Sequence, residues 1–465
     1  MEKYGSATMN FSKTDQKPLP TNFDEFIPWA CRALQESFYP IITRSTQHTL
    51  DTSTTKGKKD KTLENELNDI ESEFSDKETG SDDYYNNMNN INIEAVYDSN
   101  NLLHQLKFIK NNKVPRHLLK LISLITRFHP QLTGININKG LNHEGLYEIS
   151  KMVASSFITE VILDGTIIKE GNFYLLVEKK SYLKYLSLAR CNINDTILKE
   201  LTARLIHPLP MSRVLSVLNL SSNKITNNGA KYLGEMLETN RQLAYLNLAG
   251  NMISDTGAES IMNSLVEFPL SIDNIIASKT RKYNYLKEKN NLVKKTVEEM
   301  LYIELNKMSS KSKSDQKGPA FMRKQKESRI RESTLRYKHR EESYAELAES
   351  AVNAQMGPFM DPYSSENLIS RNGTLYCLGN NILCYLSLAY NDLTNLSVKK
   401  LYSVLNTQHN LNRTPRGLVN VCIDGNDMTD SDPDLAKIDL IIDRGLTAEL
   451  PVVTTTSKKK GGSTK

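Results

Sequence analysis

One pattern constrains this chain more than anything else in it. An aliphatic residue is followed three positions on by a second and two further on by a third, and an Asn-type residue closes the motif three positions later. It reads Leu183, Leu186, Leu188, Cys191; then Leu215, Leu218, Leu220, Asn223; then Leu243, Leu246, Leu248, Asn251. It returns far downstream as Leu383, Leu386, Leu388, Asn391 and as Leu418, Val421, Ile423, Asn426. A weaker copy, Ile158, Val161, Leu163 with Thr166 in the last slot, precedes them. The alternation in the middle of each copy predicts a short strand whose second and third aliphatics point inward. The closing Asn amide can both donate to and accept from backbone where the chain turns and no ladder exists, and a Cys in that slot is a weaker donor. A helix follows each turn. Asn228-Gly229-Ala230 and Thr256-Gly257-Ala258 open matching ones, and Tyr232, Leu233, Met236 and Leu237 form an apolar stripe. No such unit can bury its apolar face alone, so the copies must stack.

The spacing sets the organisation. The step from Leu215 to Leu243 has the length of a helix-bearing repeat, which predicts parallel strands inside and helices outside. The step from Leu183 to Leu215 is slightly longer, and the excess falls in a loop at Ile206–Arg213. The step from Leu243 to Leu383 is several repeats long, so a long segment interrupts the array. That insertion opens with a helical stripe through Leu286, Val293, Val297, Met300 and Leu301, passes a linker-like MSSKSKSDQKG, and becomes Lys/Arg/Glu-rich from Arg323 to Glu349. Between Asp273 and Glu349 there are 19 Lys and Arg against 12 Asp and Glu, so the basic balance of the chain, +5 overall, lives there and in the tail at Ser457–Lys460. The expected domains are a mostly disordered region at 1–110 with an apolar island at 22–39 around Trp29, and a helical cap at 111–157. A first repeat block at 158–270 and a helical or disordered basic insertion at 271–375 follow. A second repeat block with its C-terminal cap at 376–446 and a lysine-containing tail at 447–465 complete the chain.

These parts, in this order, resemble the leucine-rich repeat-containing protein 71 family, whose repeats are of the long, ribonuclease-inhibitor-like kind. The resemblance runs from about Phe157 to Arg444. It is carried by YLSLARCNINDT, by VLNLSSNKITNNGAKYLGEMLETNRQLAYLNLAGNMISDTGAESI, by the lysine-rich insert and by NNILCYLSLAYNDLTNLSV. It implies an α/β leucine-rich-repeat horseshoe with a long charged insertion. It also implies a non-enzymatic, intracellular scaffold of ciliated cells and sperm, associated with the axoneme. Regulation of a small GTPase, as by Ran-type GTPase-activating proteins, is the alternative, because those use the same repeat class; their acidic tails and unbroken arrays differ from this chain. Nucleic-acid binding rests on the basic insert alone, where sparse aromatics argue against a base-stacking platform.

Chemistry is otherwise absent from the sequence. No apolar run approaches the ~20 residues that span a bilayer, and the N-terminus has no secretory apolar region. Cys31, Cys191, Cys377, Cys384 and Cys422 are scattered, which fits reduced thiols rather than disulfides or a zinc site. No phosphate loop, dinucleotide motif, nucleophile elbow or zinc-protease motif occurs, and the histidines are isolated, so no catalytic residue, cofactor or metal is expected. The expected partner is a protein. The position just before the second aliphatic, and the one two residues on between the second and the third, should project from the strands to the concave face. There Tyr185, Tyr245 and Tyr385 stand beside the small polar Asn219 and Asn247, a composition suited to an interface. Cys191, Asn223, Asn251, Asn391 and Asn426 are the expected structural ladder of the turns. The oligomeric state is not legible.

Overall fold

The computed structural model describes residues 17–46, 89–311, 343–411, 413–429 and 431–447. The linker-like stretch beyond Lys311, the basic run as far as 342, the charged stretch at 51–83 and the lysine tail therefore lie outside the described residues. The chain divides into two compact units. The first comprises the residues up to Val266 and from Gly379 onward, the second Glu267–Leu378.

The first unit is built on one ten-stranded sheet. In sheet order its strands are β1 (Phe38–Thr46), β2 (Asn89–Tyr97), β3 (Leu103–Phe108), β4 (Gly134–Ile137), β5 (Glu160–Ile162), β6 (Tyr185–Ser187), β7 (Val217–Asn219), β8 (Tyr245–Asn247), β12 (Tyr385–Ser387) and β13 (Asn420–Cys422). Only β2 and β3 run antiparallel; every pairing from β3 to β13 is parallel. The inward aliphatics of the pattern, Leu186, Leu188, Leu218, Leu220, Leu246, Leu248, Leu386 and Leu388 among them, are wholly buried in one continuous core. Helices α4 (Asp195–Ala203), α5 (Asn227–Thr239), α6 (Asp255–Asn263), α9 (Asn395–Asn410) and α10 (Pro433–Thr447) pack each on the next along the other side. Parallel strands need such crossovers; here α4, α5, α6 and α9 lie between successive strands of the sheet, and α10 follows the last one.

The second repeat block continues the first without a gap in the sheet. Tyr385, Leu386 and Ser387 pair with Tyr245, Leu246 and Asn247, although the whole insertion separates them in sequence. The chain leaves at Val266 and resumes beside its own exit, where Asn380 N donates to Ser264 O at 2.8 Å.

The N-terminal part departs from the sequence reading. Residues 17–46 and 89–110, expected to be mostly disordered, hold α1 (Phe23–Ala33) and β1 to β3. Phe23 and Ile27 of the apolar island are buried in the common core, with the Phe23 ring edge-on to His129 at 5.9 Å. The expected helical cap at 111–157 contains α2 (Arg116–Ile125) and α3 (His143–Ser155), but also β4, a full member of the sheet. The repeat pattern itself begins earlier than Ile158. Leu103, Leu106, Phe108 and Asn111 match it in full, and Leu132, Ile135 and Ile137 match its apolar part, with Gly140 in the last slot. The aliphatic and aromatic positions were present in the sequence; the Asn-rich run before them hid the start of the array.

The second unit holds α7 (Ile272–Lys311), helix α8 at 343–356, and an antiparallel sheet of β9 (Phe268–Pro269), β11 (Thr374–Cys377) and β10 (Leu368–Arg371). The sequence reading foresaw helix here and missed this small sheet, which covers Leu270, Tyr363 and Cys377. The Arg281 guanidinium grips the wholly buried Asp361 carboxylate, Nε to Oδ2 at 2.6 Å, and Ser278 Oγ donates to it at 3.0 Å.

Candidate functional site

Three rows of polar side chains hold successive repeats together. The first is the turn row. Asn223 Oδ1 accepts from the main-chain N of Cys191 and Ile193, at 3.0 and 2.9 Å, while its amide donates to Leu188 O and Leu220 O, both at 2.9 Å. Asn251 accepts from Ile225 N and donates to Leu220 O and Leu248 O. Asn391 donates to Leu248 O and Leu388 O and accepts from Ile253 N. Asn426 accepts from Asn391 N and Leu393 N. Cys191 Sγ donates to Leu163 O, and burial pushes its thiol up to about 12. Buried Asn111 bonds both ways to the main chain of Asn92, and Thr166 Oγ1 donates to Ile137 O.

The second row lies at the helix starts and was not anticipated. Asp195 accepts from the main-chain N and the hydroxyl of Thr226, one repeat on. Asn227 accepts from Ser254 N, Asp255 from Thr394 N and the hydroxyls of Thr394 and Ser397, and Asn395 from Thr429 N. Burial would raise the Asp255 carboxyl, but these hydrogen bonds outweigh it and hold it below its ordinary range. This row explains the glycines of the helix openings. A Cβ on Gly229 would sit 2.5 Å from Asp195 Oδ1, and one on Gly257 2.5 Å from Asn227 Oδ1. A third row sits where helix passes to strand. Asn240 donates to Leu205 O and accepts from Gln242 N and Leu243 N; Asn380 donates to Leu237 O and Asn240 O and accepts from Ile382 N. All three rows bridge the interruption of the array.

The concave strand face carries the candidate interface. Its register places Glu160, Tyr185, Val217, Tyr245, Tyr385 and Asn420 side by side. Tyr245 and Tyr385 are stacked face to face, their centroids 4.0 Å apart and their planes 1° from parallel. Tyr185 stands two strands from Tyr245, about 9.6 Å at the usual strand spacing, with the smaller Val217 between. The three tyrosines are half-buried rather than exposed, because each leans on its neighbours along the sheet. Burial, then the hydroxyl of Tyr385, push the Tyr245 phenol up to about 12. Burial and the carboxylates of Asp164 and Glu160 raise that of Tyr185.

The neighbouring polar row is partly committed. Asn219 Nδ2 donates to Ser187 Oγ at 2.9 Å, Ser187 Oγ donates to Asp164 Oδ1 at 2.6 Å, and Asn219 Oδ1 accepts from Ser221 N. Asn247 Oδ1 accepts from Ala249 N at 3.0 Å, and its NH₂ group has no partner among the described residues. Asn247 follows Tyr245 on the strand of the tyrosine stack, and Asn219 is its register partner on the adjacent strand, between Asn247 and Ser187. Among the described residues no group of His, Cys, Asp and Glu is arranged to hold a metal ion, and no helix is long and apolar enough to cross a membrane.

A parallel-stranded sheet, one helix per repeat and an Asn row in the turns define a leucine-rich-repeat protein. The family model for the Leucine Rich repeat matches residues 179–201, 212–234 and 239–262. Those three stretches carry β6, β7 and β8 with their helices; β12 and β13 extend the same sheet beyond the matched part. No curated protein matches the chain.

Proposed function

We propose that the repeat array is a non-enzymatic protein-interaction scaffold that receives its partner on the concave face. Tyr185, Tyr245 and Tyr385 supply contact area there, and Asn247, with Asn219, supplies hydrogen bonds. The observation that supports this reading most is the Tyr245–Tyr385 stack beside an Asn247 amide with unused N–H groups. Rigid aromatic surface with a polar tip lowers the entropic cost of association, and an unused buried-edge donor gives direction to it. The resemblance to the leucine-rich repeat-containing protein 71 family adds the finer reading that the partner belongs to the axoneme of a cilium or flagellum.

Proximity labelling in ciliated cells, followed by photocrosslinking from position 247, tests both levels. The reading expects axonemal proteins in the labelled set and crosslinks from the concave position, not from a probe at Glu235 on the helical side. Crosslinks from Glu235 alone would move the interface to the helices.

A further inference from the structure

The strongest unassigned surface lies on α7, away from the concave face. One side of this helix is already packed within its own unit. Arg281 grips Asp361, Tyr285 Oη donates to Gly357 O at 2.7 Å, Lys289 pairs with Glu349 at 2.9 Å, and Tyr344 Oη donates to Glu304 at 2.9 Å. A second stripe runs beside it: Ile276, Tyr283, Leu286, Val293, Val297 and Met300. Their steps of seven, three and four residues follow the seam of a coiled coil, in which every such residue faces one partner helix. The stripe is about 36 Å long at the helical rise. Its N-terminal half is uncovered, with Ile276 56 %, Tyr283 64 % and Leu286 45 % exposed.

The charges beside the stripe choose the occupant. Between Ile276 and Val297 the flanking positions carry Lys282, Lys287, Lys289 and Lys294 and no acid, and Lys279 lies in the stripe itself. Of these only Lys289 is ion-paired among the described residues. A second copy of this helix would set lysine against lysine in either orientation, which is destabilising. The chain's own residues 312–342 hold ten Lys and Arg against five Asp and Glu, the same sign again. Its residues 62–83, with nine Asp and Glu against one Lys, have the fitting sign, and peptide binding that rises when they are deleted would overturn a partner in favour of that segment. We propose that this stripe is a docking surface for an acidic amphipathic helix of a partner protein, apolar along its seam and Glu- or Asp-rich at its edges.

The test uses the full chain and two designed four-heptad peptides with identical apolar seams, one with Glu and one with Lys at the flanking positions. The Glu peptide should bind at least about tenfold more tightly than the Lys peptide and weaken with salt. Two charge-defined variants divide the causes: Tyr283→Ser with Leu286→Ser removes apolar surface only, and Lys287→Gln with Lys294→Gln removes charge only. Each should lose about tenfold or more in affinity, with circular dichroism confirming that the helix remains. Equal binding of the two peptides, or undiminished binding by the serine variant, would overturn the proposal. A wild-type dimer in sedimentation that the serine variant dissolves would also overturn it, in favour of a second copy.

Discussion

At the residue scale the turn row was legible because the Asn slot follows a strand signal at a fixed offset. The rows at the helix starts and at the helix-to-strand junctions were not, because Asp, Thr and Asn at a helix end have ordinary capping roles within their own repeat. Only stacking shows that Asp195 and Asp255 serve the next repeat instead. Burial decides which residue can serve as a control for the turn row. Asn240 resembles a loop residue in sequence, yet it is buried and bonded on both sides. Asn223→Ala and Asn240→Ala should both lower Tm, at about 1–3 kcal/mol for each buried group left unpaired. Asn263→Ala, at an exposed helix end, should not. Equal Tm for Asn223→Ala and Asn263→Ala would refute the ladder. Thiol chemistry gives an independent check. Burial drives Cys31 and Cys191 up to about 12, whereas Cys422 is only half-buried. Iodoacetamide at pH 8 should modify Cys422 in the folded protein and leave Cys31 and Cys191 intact, as peptide mapping would read out.

At the scale of elements, the strands β5 to β8, β12 and β13 follow from the alternation of aliphatics. The strands β1 to β3 were hidden because their neighbourhood is Asn-rich and charged. The tyrosines share one register position across the sheet, but their burial was not foreseen, since the sequence does not reveal that Tyr245 and Tyr385 become neighbours in a stack. Removing either ring should cost about 0.5–1.5 kcal/mol beyond lost area, with a smaller second loss in the double variant than the sum of the singles. In the second unit, burial tends to raise the Asp361 carboxyl, but Arg281 and its other donors outweigh it and hold it below its ordinary range. A carboxyl depressed in the folded state stabilises above its unfolded value, and that contribution is lost as pH falls through the folded one. Helix α7 should therefore come loose below about pH 4, followed by hydrogen exchange of residues 272–285. Arg281→Ala should cost about 3–5 kcal/mol at neutral pH, because it strands a buried charge.

At the scale of the whole molecule, the split array was readable because Leu383 resumes the pattern in phase, and one sheet spans the interruption. Long insertions are tolerated because closure entropy grows only logarithmically with length. Cleavage at a protease site engineered between residues 309 and 318 should leave two fragments that co-elute in size-exclusion chromatography, held by β8 on β12 and by the three polar rows. The central claim is that the concave face binds the partner, and affinity measures it most directly. Once the crosslinked partner is in hand, titration calorimetry should compare wild type, Tyr185→Ala with Tyr245→Ala and Tyr385→Ala, and the helical-side control Tyr232→Ala, at a temperature where all are folded. With about 2 kcal/mol for a hot-spot tyrosine, the triple variant should bind at least about thirtyfold more weakly, and Tyr232→Ala as wild type does. A triple variant that binds with wild-type affinity would contradict the account.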